Sequence, residues 1–141
     1  MDANQTTRIT VQTVVKAPVE KVWTYWNEPE HITGWSFASD EWHAPSATND
    51  LRPGGRLIVR MEAKDGSAGF DFGGVYDVVK EHEEIAFTMD DGRRVDIAFT
   101  AQGDETAITE TFDAEGTFPV EFQRAGWQSI LDNFRRYAEQ R

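Results

Sequence analysis

One stretch constrains the fold of this chain more than any other. From Pro119 to about Gln140, Trp127, Ile130, Leu131, Phe134, Tyr137 and Ala138 recur on one side of a helical wheel. Asp132 and Arg136 fall at i,i+4 on the wet side. A helix of that reach spans about 33 Å, enough to cross a whole sheet. No other segment carries so long a helical pattern. The rest of the chain must therefore be something that one terminal helix can cover.

What precedes it alternates. Ile9, Val11 and Val15 share one side of a first strand. Ala17-Pro18 opens a helical segment with Val19, Val22, Trp23 and Trp26 at helical spacing. Glu28-Pro29 breaks it, and a short turn over Glu30 to Thr33 ends at Gly34. The stretch from Trp35 to Pro53 is too long for an ordinary connection, so part of it pairs as a strand. Leu57, Val59 and Met61 alternate next. Phe70, Phe72, Tyr76 and Val78 share a face, interrupted at Gly73-Gly74 by a bulge or a close backbone approach. Ile85-Phe87-Met89, Val95-Ile97-Phe99 and Ile108-Glu110-Phe112 follow as further alternating runs. The turns at Asp65-Gly66, Asp91-Gly92 and Gly103 suit tight antiparallel connections. The expectation is an α+β fold: a strongly curved antiparallel sheet of six to seven strands, two short helices after the first strand, and a long C-terminal helix on the concave face. Unless side chains fill it, the space between helix and sheet is a cavity.

Composition narrows the function classes. The chain has 141 residues and a formal net charge of -11, which argues against a nucleic-acid partner and against an anionic membrane. It is expected to be one domain over 1–141 with a core of about 7–140. Cysteine is absent, so thiol catalysis, disulfides and thiolate metal sites are excluded. The start, Met1 to Thr7, is polar, and no apolar run approaches the roughly 20 residues of a membrane span. A soluble cytoplasmic protein, monomer or homodimer, is the simplest expectation. The 17 aromatic residues (five Trp, three Tyr, nine Phe) are many for so acidic a chain.

Four motifs point to a family. Ala17-Pro18-Val19-Glu20-Lys21-Val22-Trp23 resembles the first-helix signature of the START-like, birch-pollen-allergen-like helix-grip superfamily (SRPBCC). Asp50-Leu51-Arg52-Pro53-Gly54-Gly55, Phe72-Gly73-Gly74-Val75-Tyr76 and Gly126-Trp127 with Leu131-Asp132 and Phe134 resemble its bacterial branch related to the activator of the heat-shock-protein ATPase. The resemblance runs from about Ile9 to Tyr137. It implies a helix-grip fold and binding of a lipid, polyketide or other hydrophobic molecule between helix and sheet. A few members of the superfamily catalyse cyclisation or hydrolysis. The eukaryotic co-chaperone carries an additional N-terminal domain for which this chain has no room.

The candidate ligand-binding residues follow from the inward faces. Phe70, Phe72, Tyr76, Phe87, Met89, Phe99, Phe112 and Phe134 form either a filled core or a cavity wall, with Leu131 beside Phe134. Tyr76 offers a hydroxyl to a ligand. Trp26, Trp35 and Trp42 are placed at the cavity rim and Trp127 on the helix, as ligand-stacking groups or as core. Gly126 suggests that the helix backbone closely approaches the sheet or a ligand.

Glu110 shares its face with Ile108 and Phe112, so it is a buried acid, a carboxylate at the cavity mouth, or one paired with a nearby Arg. His43 is its candidate acid–base partner, or else a partly exposed strand-end residue. His31 and His82 read as surface residues. No two histidines have metal-ligand spacing, so no metal is expected, and no cofactor. Serine-elbow, phosphate-loop and dinucleotide motifs are missing. Binding of a hydrophobic small molecule leads; an acid–base enzyme using Glu110 and His43, and a chaperone-related interaction module, remain open.

Overall fold

The computed structural model describes residues 7–141; the polar start over residues 1–6 lies outside them. The order is β1 (Arg8–Val15), α1 (Val19–Asn27), α2 (Pro29–Ile32), β2 (Trp42–Asn49), β3 (Arg56–Ala63), β4 (Gly69–Lys80), β5 (Glu84–Met89), β6 (Arg94–Gln102), β7 (Glu105–Asp113) and α3 (Val120–Glu139). The seven strands form one curved antiparallel sheet in the order β1-β7-β6-β5-β4-β3-β2. The predicted α+β architecture is the one observed, with the long helix on the concave face.

Period-two alternation builds that face. Ile9 and Phe112 pair across β1 and β7, Ile97 faces Glu110 across β6 and β7, and Tyr76 faces Phe87 across β4 and β5. The Asp-Gly and Gly turns work as expected: Gly66, Gly92 and Gly103 all have positive φ.

Two local readings need correction, the inward Val78 and the Asp132–Arg136 pair, and the alternatives at Gly73-Gly74 are resolved. The bulge in β4 lies between Tyr76 and Val78, not at Gly73-Gly74. It shifts the phase, so Val79 rather than Val78 packs against the core. Gly73 and Gly74 are the close approaches that the sequence offered as the other alternative: a Cβ on Gly73, whose φ is +145°, would sit 2.0 Å from the Leu57 carbonyl oxygen. The short turn ends just before Gly34, as expected, but without a positive φ there; Gly34 makes room, since a Cβ on it would lie 2.5 Å from the Tyr137 ring. On α3, Asp132 accepts from Gln128 at 2.9 Å rather than pairing with Arg136, which reaches Asn133 instead.

The sheet's two edges are handled differently. Carbonyls on β1 would be open to a second chain. Arg124 donates to the Thr10 carbonyl and Gln128 to the Gln12 carbonyl, so α3 covers that edge. At the other edge, β2 carries Pro45 within a register shift between His43 and Ser46, which removes one donor.

The helix does two jobs along its length. Its C-terminal half buries Leu131, Phe134 and Ala138 in the core. Its N-terminal half, with Gly126, Trp127 and Ile130, stands over open space.

Candidate functional site

That space is a cavity of about 600 Å³ between the concave sheet and the N-terminal half of α3. Its floor comes from alternate residues of β3 to β6: Val59, Met61, Phe72, Tyr76, Phe87, Met89 and Ile97. Its roof is Gly126, Trp127 and Ile130. The Trp127 indole lies flat on Phe112, ring centroids 3.8 Å apart, and meets Phe72 edge-on at 5.5 Å. Trp26, Ile32 and Trp35 supply a further wall. Phe70, Phe118 and Phe122 line the cavity yet are 48%, 53% and 65% exposed, so they mark its mouth.

The structure brings most of the predicted residues together. Trp26, Trp35, Trp42, Phe70, Phe72, Tyr76, Phe87, Met89, Glu110 and Trp127 all line the cavity. Of the three tryptophans placed at the rim, only Trp42, packed against Phe70, stands at the mouth. Trp26 and Trp35 are not rim residues: they pack on each other and on Phe134, and Trp35 donates its indole N–H to the Tyr25 carbonyl. Phe99, Phe112, Leu131 and Phe134 are buried behind the lining. Phe99 packs against Trp23 and Trp26, one layer away from the open space.

His43 lies elsewhere. It pairs with Glu62 across β2 and β3, with its Nε2 3.8 Å from the Glu62 carboxylate, and that pair faces away from Val59, Met61 and Ala63. It is therefore on the opposite face of the sheet from Glu110. The other two histidines are half-buried rather than surface groups. His31 Nδ1 lies 2.7 Å from the Tyr137 hydroxyl, and the His82 ring meets Trp23 edge-on. Glu28, Glu30 and His31 bring ligand atoms within 4.8 Å of one another, but the two acids are exposed and His31 is held by Tyr137.

Glu110 takes the buried placement. It is 7% exposed and lines the cavity, and burial alone pushes its pKa up to about 8. No side chain among the described residues hydrogen-bonds or ion-pairs with it. The other charged lining groups all have partners: Asp71 takes Arg60, Arg93 takes Asp91, and Glu115 accepts the backbone N–H groups of Thr117 and Phe118. Those N–H groups hold the Glu115 carboxyl below its usual range. Tyr76 is committed too. It donates to Asn49 Oδ1 at 2.6 Å, Asn49 donates to the Asn27 carbonyl, and burial pushes the phenol well upward.

Some lining residues escaped the sequence reading. Val59, Met61 and Ile97 were legible as inward-facing but had no chemistry to single them out. Phe118 and Phe122 precede the apolar stripe. Gln123, only 8% exposed, donates to the Glu115 and Phe118 carbonyls and accepts from the Glu115 N–H, which pins the β7–α3 connection at the mouth. Gly126 differs from its reading: a Cβ there meets no atom within 4 Å, so it widens the cavity instead of marking a close approach.

The family model described as "Activator of Hsp90 ATPase homolog 1-like protein" matches residues 16–139. The chain belongs to this family. Among solved structures, an AHSA1-like protein from Aeromonas hydrophila is 45% identical with a TM-score of 0.89, covering 95% of this chain and 93% of that one. A protein from Cytophaga hutchinsonii is 56% identical with a TM-score of 0.82, covering 94% of this chain and 92% of that one. A protein from Nitrosomonas europaea shares the fold at 19% identity, with a TM-score of 0.81 and 94% of each chain covered. No curated protein matches. The AHSA1-like fold is that of a family of ligand-binding domains. Among the described residues no helix is long and apolar enough to cross a membrane.

Proposed function

We propose that this AHSA1-like chain, acting as one domain, binds a hydrophobic small molecule of lipid, polyketide or aromatic type between the curved sheet and α3. The observation that carries the reading is the open cavity of about 600 Å³ with walls of Trp, Phe, Met, Val and Ile. That volume is in the range of small-molecule sites, and a mainly apolar lining with a few polar groups is their usual composition. A fully packed core at this place would carry no such argument.

Gly126 offers the test. Because its Cβ position is empty and Gly126 lines the cavity, Gly126→Trp starts an indole into that space with no clash at Cβ. Native mass spectrometry and melting curves against a panel of lipids and aromatics are expected to show binding and a rise of several degrees for the wild-type chain. The variant keeps its fold and loses both. No shift for the wild type across the panel would remove the reading.

Acid–base catalysis by Glu110 and His43 has no support, since the two residues stand on opposite faces of the sheet. A protein-partner role keeps one supporting observation, the exposed Phe118–Phe122 pair at the mouth.

A further inference from the structure

Among the described residues, one ionisable group on the cavity is engaged by no other side chain. Glu110 is 7% exposed, lines the open space, and has no partner among the described residues. Its cross-strand neighbours are Val11 on β1 and Ile97 on β6. The helices contribute no charge to the lining. The other titratable groups on the cavity are Asp71, Tyr76, Arg93 and Glu115, and each is engaged by a partner of its own. No cation is therefore placed to hold Glu110 as a carboxylate.

We infer that the cavity takes an apolar, aromatic-bodied ligand bearing a neutral carbonyl oxygen, which accepts the proton of the Glu110 carboxyl. This rests on the ligand-binding reading and adds the polar end that the ligand must present. A buried acid without a partner is costly, and a ligand acceptor relieves that cost. A ligand carboxylate instead sets a second acid against Glu110 with no compensating cation. A ligand ammonium must shed its own hydration and also displace the Glu110 proton. Burial favours the protonated carboxyl at neutral pH.

Four probes of one shape test it by calorimetric titration of the full chain: naphthalene, 2-acetonaphthone, 2-naphthoate and 2-(aminomethyl)naphthalene. At pH 7 the ketone is expected to bind about five- to tenfold more tightly than naphthalene, the scale of one neutral hydrogen bond. The carboxylate binds more weakly than naphthalene. Glu110→Leu erases the ketone's advantage, and Glu110→Gln, which keeps a donor, retains it; melting curves of both variants confirm the fold. Raising the pH well above 8 removes the advantage in the wild type and not in Glu110→Gln. The Phe118 and Thr117 N–H groups hold the Glu115 carboxyl below its usual range, and burial pushes the Tyr76 phenol upward. Equal binding of ketone and naphthalene, or tightest binding by the amine with proton release, overturns the inference while leaving the ligand reading intact. Failure of all four probes to bind the wild type removes the inference, and failure of the whole lipid and aromatic panel removes the ligand reading with it.

Discussion

Glu110 carries a stability signature as well as a binding one. Its carboxyl is held at about 8 in the fold, against 4.5 in an unperturbed chain. Between those values the folded state keeps a proton that the unfolded state has lost. Stability therefore falls as pH rises through that window. The slope for one proton is roughly 1 kcal/mol per pH unit. Urea denaturation from pH 5 to pH 8 is expected to show this loss, and Glu110→Gln is expected to flatten it. An unchanged profile in the variant would mean that Glu110 titrates normally. The inward position of Glu110 was legible from its alternation with Ile108 and Phe112. Its lack of a partner was not, because that depends on where every neighbouring Arg finds its own acid. His43 shows the same limit. A register shift in β2 and its pairing with Glu62 put it on the convex face, and neither feature leaves a mark in the local pattern.

At the scale of elements, α3 divides into a packed half and a lining half. Leu131 is fully buried among core side chains, so Leu131→Ala is expected to cost about 2–5 kcal/mol. Gly126 faces open space, so Gly126→Ala is expected to stabilise by up to about 1 kcal/mol through helix propensity. Paired denaturation curves check both signs. A Gly126→Ala variant that is clearly destabilised would contradict the open roof. The helix itself, its register and its apolar stripe could be read from spacing. That the stripe packs at one end and lifts at the other could not, because helical periodicity says which side faces inward and nothing about the distance to the sheet. The β3–β4, β5–β6 and β6–β7 neighbours were legible from the tight turns that join them, whereas the β1–β7 pairing was not, because no turn connects those two strands. The β4 bulge was not, since Asp77 carries no signal that it would be the extra residue.

For the molecule as a whole, charge and aromatic content separate cleanly. The net charge of -11 sits largely on exposed strand faces and turns, as in the Arg8, Asp96 and Asp113 group on the convex side. The aromatics divide between a buried layer, Phe99, Phe112 and Phe134, and the lining in front of it. The central claim is that a ligand enters that lined space. The chain has three methionines, and Met61 and Met89 both line the cavity. Methyl-labelled methionine is therefore a direct reporter. With 2-acetonaphthone added to saturation, the Met61 and Met89 methyl resonances should move and show nuclear Overhauser contacts to the ring protons. Both resonances staying in place, with no contact to the probe, would contradict the account.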